Sequence, residues 1–170
     1  MDGLGHRISR NRIYANTGLD IDVGEVGLSA NDNDAAAGAG ALPNRGVNYP
    51  SLTSATGGDK SGAVTGSLSS TNGTYRVELY YNTGCSGGFI SLGDARVFVG
   101  STTVQIANAP AGQNGSAAFS LPFESNPPSS NIPSGRGFVA LAIDSSGNTS
   151  ELSLCREYVN NGILFADSFE

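Results

Sequence analysis

The densest chemistry in this sequence is acidic. Asp20, Asp22, Glu25, Asp32 and Asp34 place five carboxylates within fifteen residues, with no basic side chain among them. Calcium takes roughly six to eight oxygens from carboxylates and turn carbonyls, which makes Asp20, Asp22, Asp32 and Asp34 candidate calcium ligands. On a strand, Asp20 and Asp22 would share a face and repel without a counter-ion. Asp32-Asn33-Asp34 begins like an EF-hand loop, but Ala36 and Ala37 stand where a ligand and the glycine belong. The competing reading is a solvated acidic loop. Paired carboxylates also serve as acid and base in glycoside chemistry, yet nothing in the sequence sets two of them across a cleft.

The lone histidine, His6, excludes more than it offers. Two-histidine copper sites, His-Cys-Cys zinc sites and HExxH sites lack their ligands. A Ser-His-Asp arrangement could use only His6, which lies in an unpatterned stretch, and no G-x-S-x-G precedes a helical segment. No catalytic residue is assigned. Tyr49, Tyr80, Phe89 and Phe123 could stack on sugar rings, but the chain has no Trp, and buried aromatics are the competing reading.

Cys85 and Cys155 are the only cysteines, and no CxxC is present. In an oxidising compartment two thiols are most naturally one disulfide; two independent buried thiols are the alternative. A bridge here would close a loop of about 70 residues, worth roughly 4 kcal/mol in the chain-entropy model.

These residues must be positioned by a frame that composition identifies. The chain has 170 residues, 24 of them Gly, and only 14% charged; Lys occurs once. Such a chain favours turns and short strands over helices, and its 38% hydrophobic content can build a core. The net charge of −6 supplies no basic stripe for a phosphate backbone and disfavours anionic membranes. No apolar run approaches a membrane span of about 20 residues. The expected location is extracellular or cell-surface, with a signal peptide upstream of this chain or already removed.

Three regions differ in texture. In residues 1–50, Ile8, Ile13, Leu19 and Ile21 alternate with Asn11 and Asn16 in a spacing that suits one coil of a parallel β-helix, followed by an acidic exit loop. A single coil cannot bury its own face. Residues 51–156 read as an all-β domain with strands at 63–68, 74–81, 96–99, 102–107, 116–121, 137–144 and 150–154, and a further one at 50–56. Tyr75, Val77, Leu79 and Tyr81 alternate inward, with Arg76, Glu78 and Tyr80 outward. Phe138–Ile143 is apolar on both faces, as in a central strand whose second face is also covered. The expected fold is an Ig/fibronectin-like antiparallel β-sandwich preceded by a remnant β-helix coil. Its expected core is Val64, Val77, Leu79, Val97, Val104, Phe119, Leu141 and Leu152. The apolar tail, 157–170, is expected to dock.

Several segments together resemble the C-terminal region of bacterial right-handed parallel β-helix repeat proteins, over roughly residues 8–156. They are Asn11-x-Ile13, Asn16-x-Gly18-Leu19-Asp20-Ile21, Tyr75–Tyr80, and Gly147-Asn148-Thr149-Ser150-Glu151-Leu152-Ser153 with Cys85 and Cys155. The Gly-Asn-Thr-Ser-Glu-x-Ser ending and the paired cysteines are the specific parts. The end, Leu164–Glu170, is similar to short terminal tags on secreted proteins of gammaproteobacteria. The resemblance implies an exported or surface-exposed bacterial protein whose upstream coils would be this domain's partner. Some β-helix relatives are polysaccharide lyases or hydrolases, with catalytic groups on the helix face, which is almost wholly absent here. Ala35, Ala36, Ala37 and Ala39 depart from the Asp and Asn usual in relatives.

The leading expectation is a non-catalytic extracellular module that caps a β-helix and supports adhesion or contact with polysaccharide or a cell-surface glycan. A fragment of a carbohydrate-active enzyme and a calcium-dependent binding domain are the alternatives. Nucleic acid and membrane insertion are not expected.

Overall fold

The computed structural model describes residues 3–24, 26–33, 42–85, 92–125 and 130–162. Two four-stranded sheets face each other. One has the order β5-β2-β1-β8, built from β1 (Ser51–Gly57), β2 (Ser61–Ser70), β5 (Gly115–Glu124) and β8 (Val159–Asn160). The other has the order β4-β3-β6-β7, built from β3 (Gly73–Tyr81), β4 (Val97–Ile106), β6 (Gly137–Asp144) and β7 (Arg156–Glu157). All pairings are antiparallel except β1 with β8. The protein is an all-β sandwich.

Period-two alternation drives Tyr75, Val77 and Leu79 of β3 into the space between the sheets. They meet Val64 and Leu68 of β2, Phe119, Leu121 and Phe123 of β5, and Phe138 of β6. Phe123 packs on Phe138 with ring centroids 4.7 Å apart, and Tyr158 completes an aromatic cluster with both. The sandwich therefore runs past residue 156: β7, Tyr158 and β8 tie the start of the expected tail to both sheets. The stretch 163–170 lies outside the described residues.

The expected strands at 96–99 and 102–107 are one strand, β4, with a bulge opposite Leu79 and Tyr80. The expected strand at 150–154 is irregular instead. Ser150 and Ser153 N–H donate to the carbonyls of Ala142 and Ala140. Their hydroxyls accept the N–H of those same two residues and donate to the carbonyls of Glu151 and Leu154. The serine hydroxyls thus substitute for backbone acceptors and let Glu151 and Leu152 bulge outward while β6 stays satisfied.

The described parts of 3–33, here called the arm, contain no strand. Their one bridge joins Ile13 to Ala95, with Ile13 N–H on the Ala95 carbonyl at 3.0 Å. With no strand partner inside the arm, several of its backbone N–H groups are satisfied by the sandwich. It covers the outer face of the second sheet. Ile8, Ile13, Ile21 and Val23 of the arm pack on Tyr80, Val139, Leu141, Ile143 and Leu152, forming a second core. Leu141 and Leu152, expected between the sheets, sit in this second core, because alternation along β6 assigns Phe138, Ala140 and Ala142 to the inner face. Val97 is only half-buried. Val64, Val77, Leu79, Val104 and Phe119 occupy the inter-sheet core as expected.

Candidate functional site

The arm is held by side chains that rise from the sheet to meet its backbone. Glu78 points outward from β3, as alternation requires, yet has no exposed surface. Its Oε1 accepts a hydrogen bond from Ser9 Oγ at 2.6 Å, and its Oε2 accepts from Tyr80 Oη at 2.6 Å and from Arg10 N–H at 3.0 Å. Arg10 N–H is shared with Tyr80 Oη at 2.9 Å. Arg76 Nε lies 2.8 Å from Oε1 as an ion pair, without an N–H aimed for a good hydrogen bond. Burial pushes the Glu78 pKa up, but the bonds from Ser9, Tyr80 and Arg10 and the charge of Arg76 outweigh it and hold the carboxyl below its ordinary value. Burial and the bond to Glu78 push the Tyr80 phenol well up. Arg10 itself sits at φ +56°, a left-handed conformation uncommon outside glycine that this set of bonds holds in place.

The turn after β6 supplies the second set of anchors. Asp144 Oδ1 accepts the N–H of Ser146 and of Asn148, and Gly147 takes the left-handed position at φ +87°. Asn148 donates to Asp144 Oδ2 and accepts Gly5 N–H on its Oδ1 at 2.7 Å. Thr149 Oγ1 accepts Ile8 N–H at 2.9 Å. Glu151, exposed by the serine-stitched bulge to the arm rather than to water, accepts Val23 N–H at 3.0 Å and Ser29 N–H at 2.8 Å. Buried Asn44, within the short 3-10 turn Pro43–Gly46, bonds both His6 N–H and His6 carbonyl and the Thr149 carbonyl. Gly-Asn-Thr-Ser-Glu is therefore a docking strip in which Asn148, Thr149 and Glu151 each hold a different part of the arm.

The bridge Cys85–Cys155 is formed, with Cα atoms 5.6 Å apart. It lies against Gly137, where a Cβ would come within 2.6 Å of Cys155 Sγ and 2.7 Å of the Gly84 carbonyl carbon. The disulfide thus fastens the end of the docking strip to the loop after β3.

The sequence-derived site residues fall elsewhere. Asp20 accepts Ala95 N–H on Oδ2 and Asn16 Nδ2 on Oδ1. Asp22 is exposed and accepts Gly27 N–H. Asp32 is exposed and uses its backbone with Asn48 and Asn114. Asp34 and Glu25 lie outside the described residues. Among the described residues no group of three or more His, Cys, Asp or Glu side chains could hold a metal ion. His6 is exposed and is held through its backbone.

Among the described residues the candidate aromatics form no shared platform. Tyr80 is buried under the arm, Phe123 is buried between the sheets, Tyr49 is half-buried, and Phe89 lies outside the described residues. Burial and the nearby Glu151 charge raise the Tyr49 pKa, while its backbone contact with Asn31 opposes the shift. Among the described residues no helix is long and apolar enough to cross a membrane. The chain matches no protein-family model, and no curated protein is similar to it in sequence.

Sequence reasoning missed Glu78 and Glu151 as anchors. A signal existed for the first: a carboxylate flanked by Val77 and Leu79 on a strand whose neighbour, β6, is apolar on both faces.

Proposed function

We propose that this chain is a non-catalytic extracellular β-sandwich module that fixes the segment leading into it, in the way a domain capping a β-helix would, and presents a surface to polysaccharide. The observation that carries the reading is the commitment of Glu78, Thr149 and Glu151 to backbone N–H groups of the arm. All three are buried acceptors committed to holding the arm. A carboxylate with its lone pairs already filled by fixed donors is poorly placed to exchange protons with a substrate. The disulfide suits an oxidising compartment.

The test is a panel of soluble polysaccharides incubated with the oxidised protein, with reducing-end release and unsaturated-product absorbance as readouts. No turnover is expected on any of them. Release that scales with protein and disappears on heat denaturation would overturn the reading in favour of a carbohydrate-active enzyme.

A further inference from the structure

The protein is acidic, but the fold gathers several of its nine basic residues on one patch. The bridge between Ile13 and Ala95 sets the register of the arm against the segment entering β4. Ala95 is buried and Ile13 packs on the second core, so their neighbours alternate outward. Arg12, Tyr14 and Arg96 therefore stand side by side at the surface. Arg12 Cζ lies 5.5 Å and Arg96 Cζ 4.9 Å from the centroid of the same Tyr14 ring, which is 41% exposed. Arg10 Cζ lies 5.2 Å from the ring of Phe98 on β4, two residues past Arg96.

Three guanidiniums thus rest on aromatic rings, and none of the three forms an ion pair among the described residues. The nearby carboxylates accept backbone N–H groups rather than pairing with these guanidiniums: Asp20 that of Ala95, Asp94 that of Ala15 at 3.4 Å, and Glu78 that of Arg10. Arg12 Nε donates to the Arg96 carbonyl at 3.1 Å, which holds the two arginines together. Stacking occupies the guanidinium faces and leaves the in-plane Nη donors to face a planar carboxylate or a sulfate. Like charges held this close on a shared ring repel each other, and a bound polyanion relieves that repulsion.

We infer that the patch Arg10, Arg12, Tyr14, Arg96 and Phe98 binds an anionic polysaccharide, with guanidiniums on the acid groups and the exposed Tyr14 edge against the sugar. The inference rests on the extracellular-module reading only in choosing a glycan over a polynucleotide.

Titration calorimetry tests this with polygalacturonate against its fully methyl-esterified form, and dextran sulfate against dextran. The charged member of at least one pair is expected to bind at least about tenfold more tightly than its neutral counterpart, with affinity falling as salt rises from about 0.02 to 0.2 M. The pair that responds identifies the acid group. Arg12→Gln with Arg96→Gln is expected to weaken binding about tenfold or more, and Tyr14→Leu several-fold, with the melting temperature lowered only slightly by loss of the exposed Arg12 bond to the Arg96 carbonyl. Lys60→Gln, which removes one charge from the β1–β2 turn, is expected to leave it unchanged. Equal binding of charged and neutral polymers, full affinity in the double variant, or tighter binding of a single-stranded oligonucleotide would overturn the inference. Cleavage of a bound polymer would instead sink the non-catalytic reading while leaving the patch intact.

Discussion

Ser9 and Glu78 are separated by 69 positions in sequence and joined by a 2.6 Å hydrogen bond beneath the arm. The relationship shows how the second sheet was prepared for a covering layer. A carboxylate on a strand's outer face is ordinarily solvated; here its solvent is replaced by a hydroxyl, a phenol, a backbone N–H and a guanidinium. Glu78→Gln keeps the shape and removes the charge that Arg76 and the donors face. It is expected to cost about 1–3 kcal/mol, since Arg76 remains partly hydrated. Chemical denaturation checks this, with an unchanged midpoint as the contrary result.

The same group predicts an acid limb. Its folded pKa is lowered, so the stabilisation is fully present above the unfolded carboxyl value, near 4.3. It is lost as pH falls through the lower folded value. The melting temperature is expected to decline over that window, and Glu78→Gln to flatten the decline. A parallel decline in both proteins would assign it to other carboxylates.

Much of this architecture was legible in the residues. The alternation of Tyr75, Val77 and Leu79 and the two-faced apolarity of Phe138–Ile143 announce a sandwich with one sheet covered twice. What covers it was not legible, because the arm's Ile8, Ile13 and Ile21 carry no period and pair with nothing in their own segment. Tyr80 could not be told from a surface tyrosine for the same reason: its burial depends on a contact from 70 residues away. The serine-stitched bulge escaped too, since Ser150 and Ser153 look like ordinary strand residues until their hydroxyls are seen taking β6 N–H groups. The acidic residues looked like a cluster because they are close in sequence, but Asp20 turns to Ala95 and Asp22 to Gly27.

The disulfide and its glycine form a second test. Reduction of Cys85–Cys155 is expected to lower stability by about 4 kcal/mol, by freeing a loop with a sequence separation of 70. Gly137→Ala is expected to destabilise by about 2 kcal/mol or more, because the added methyl meets Cys155 Sγ and the Gly84 carbonyl carbon. Denaturant midpoints of the oxidised, reduced and variant proteins check both, and an Ala variant as stable as the parent would mean the loop after β3 yields freely.

Leu141→Ala opens the second core rather than the inter-sheet core. It is expected to cost about 2–5 kcal/mol and to raise proteolytic susceptibility within the arm. Val77→Ala, between the sheets, is expected to cost less for its smaller side chain and to leave arm cleavage coupled only to global unfolding. Equal arm cleavage at matched stability would show that Leu141 does not hold the arm.

The central claim is that the arm is a structural layer of the sandwich. Native-state hydrogen exchange at single-residue resolution tests it through the amides of Ile8, Arg10, Val23 and Ser29, which donate to Thr149, Glu78 and Glu151. The account predicts protection approaching that of the β6 amides of Ala140 and Ala142, with all of them opening in one cooperative unit. Exchange of the four arm amides at unprotected rates while β6 stays protected would contradict it.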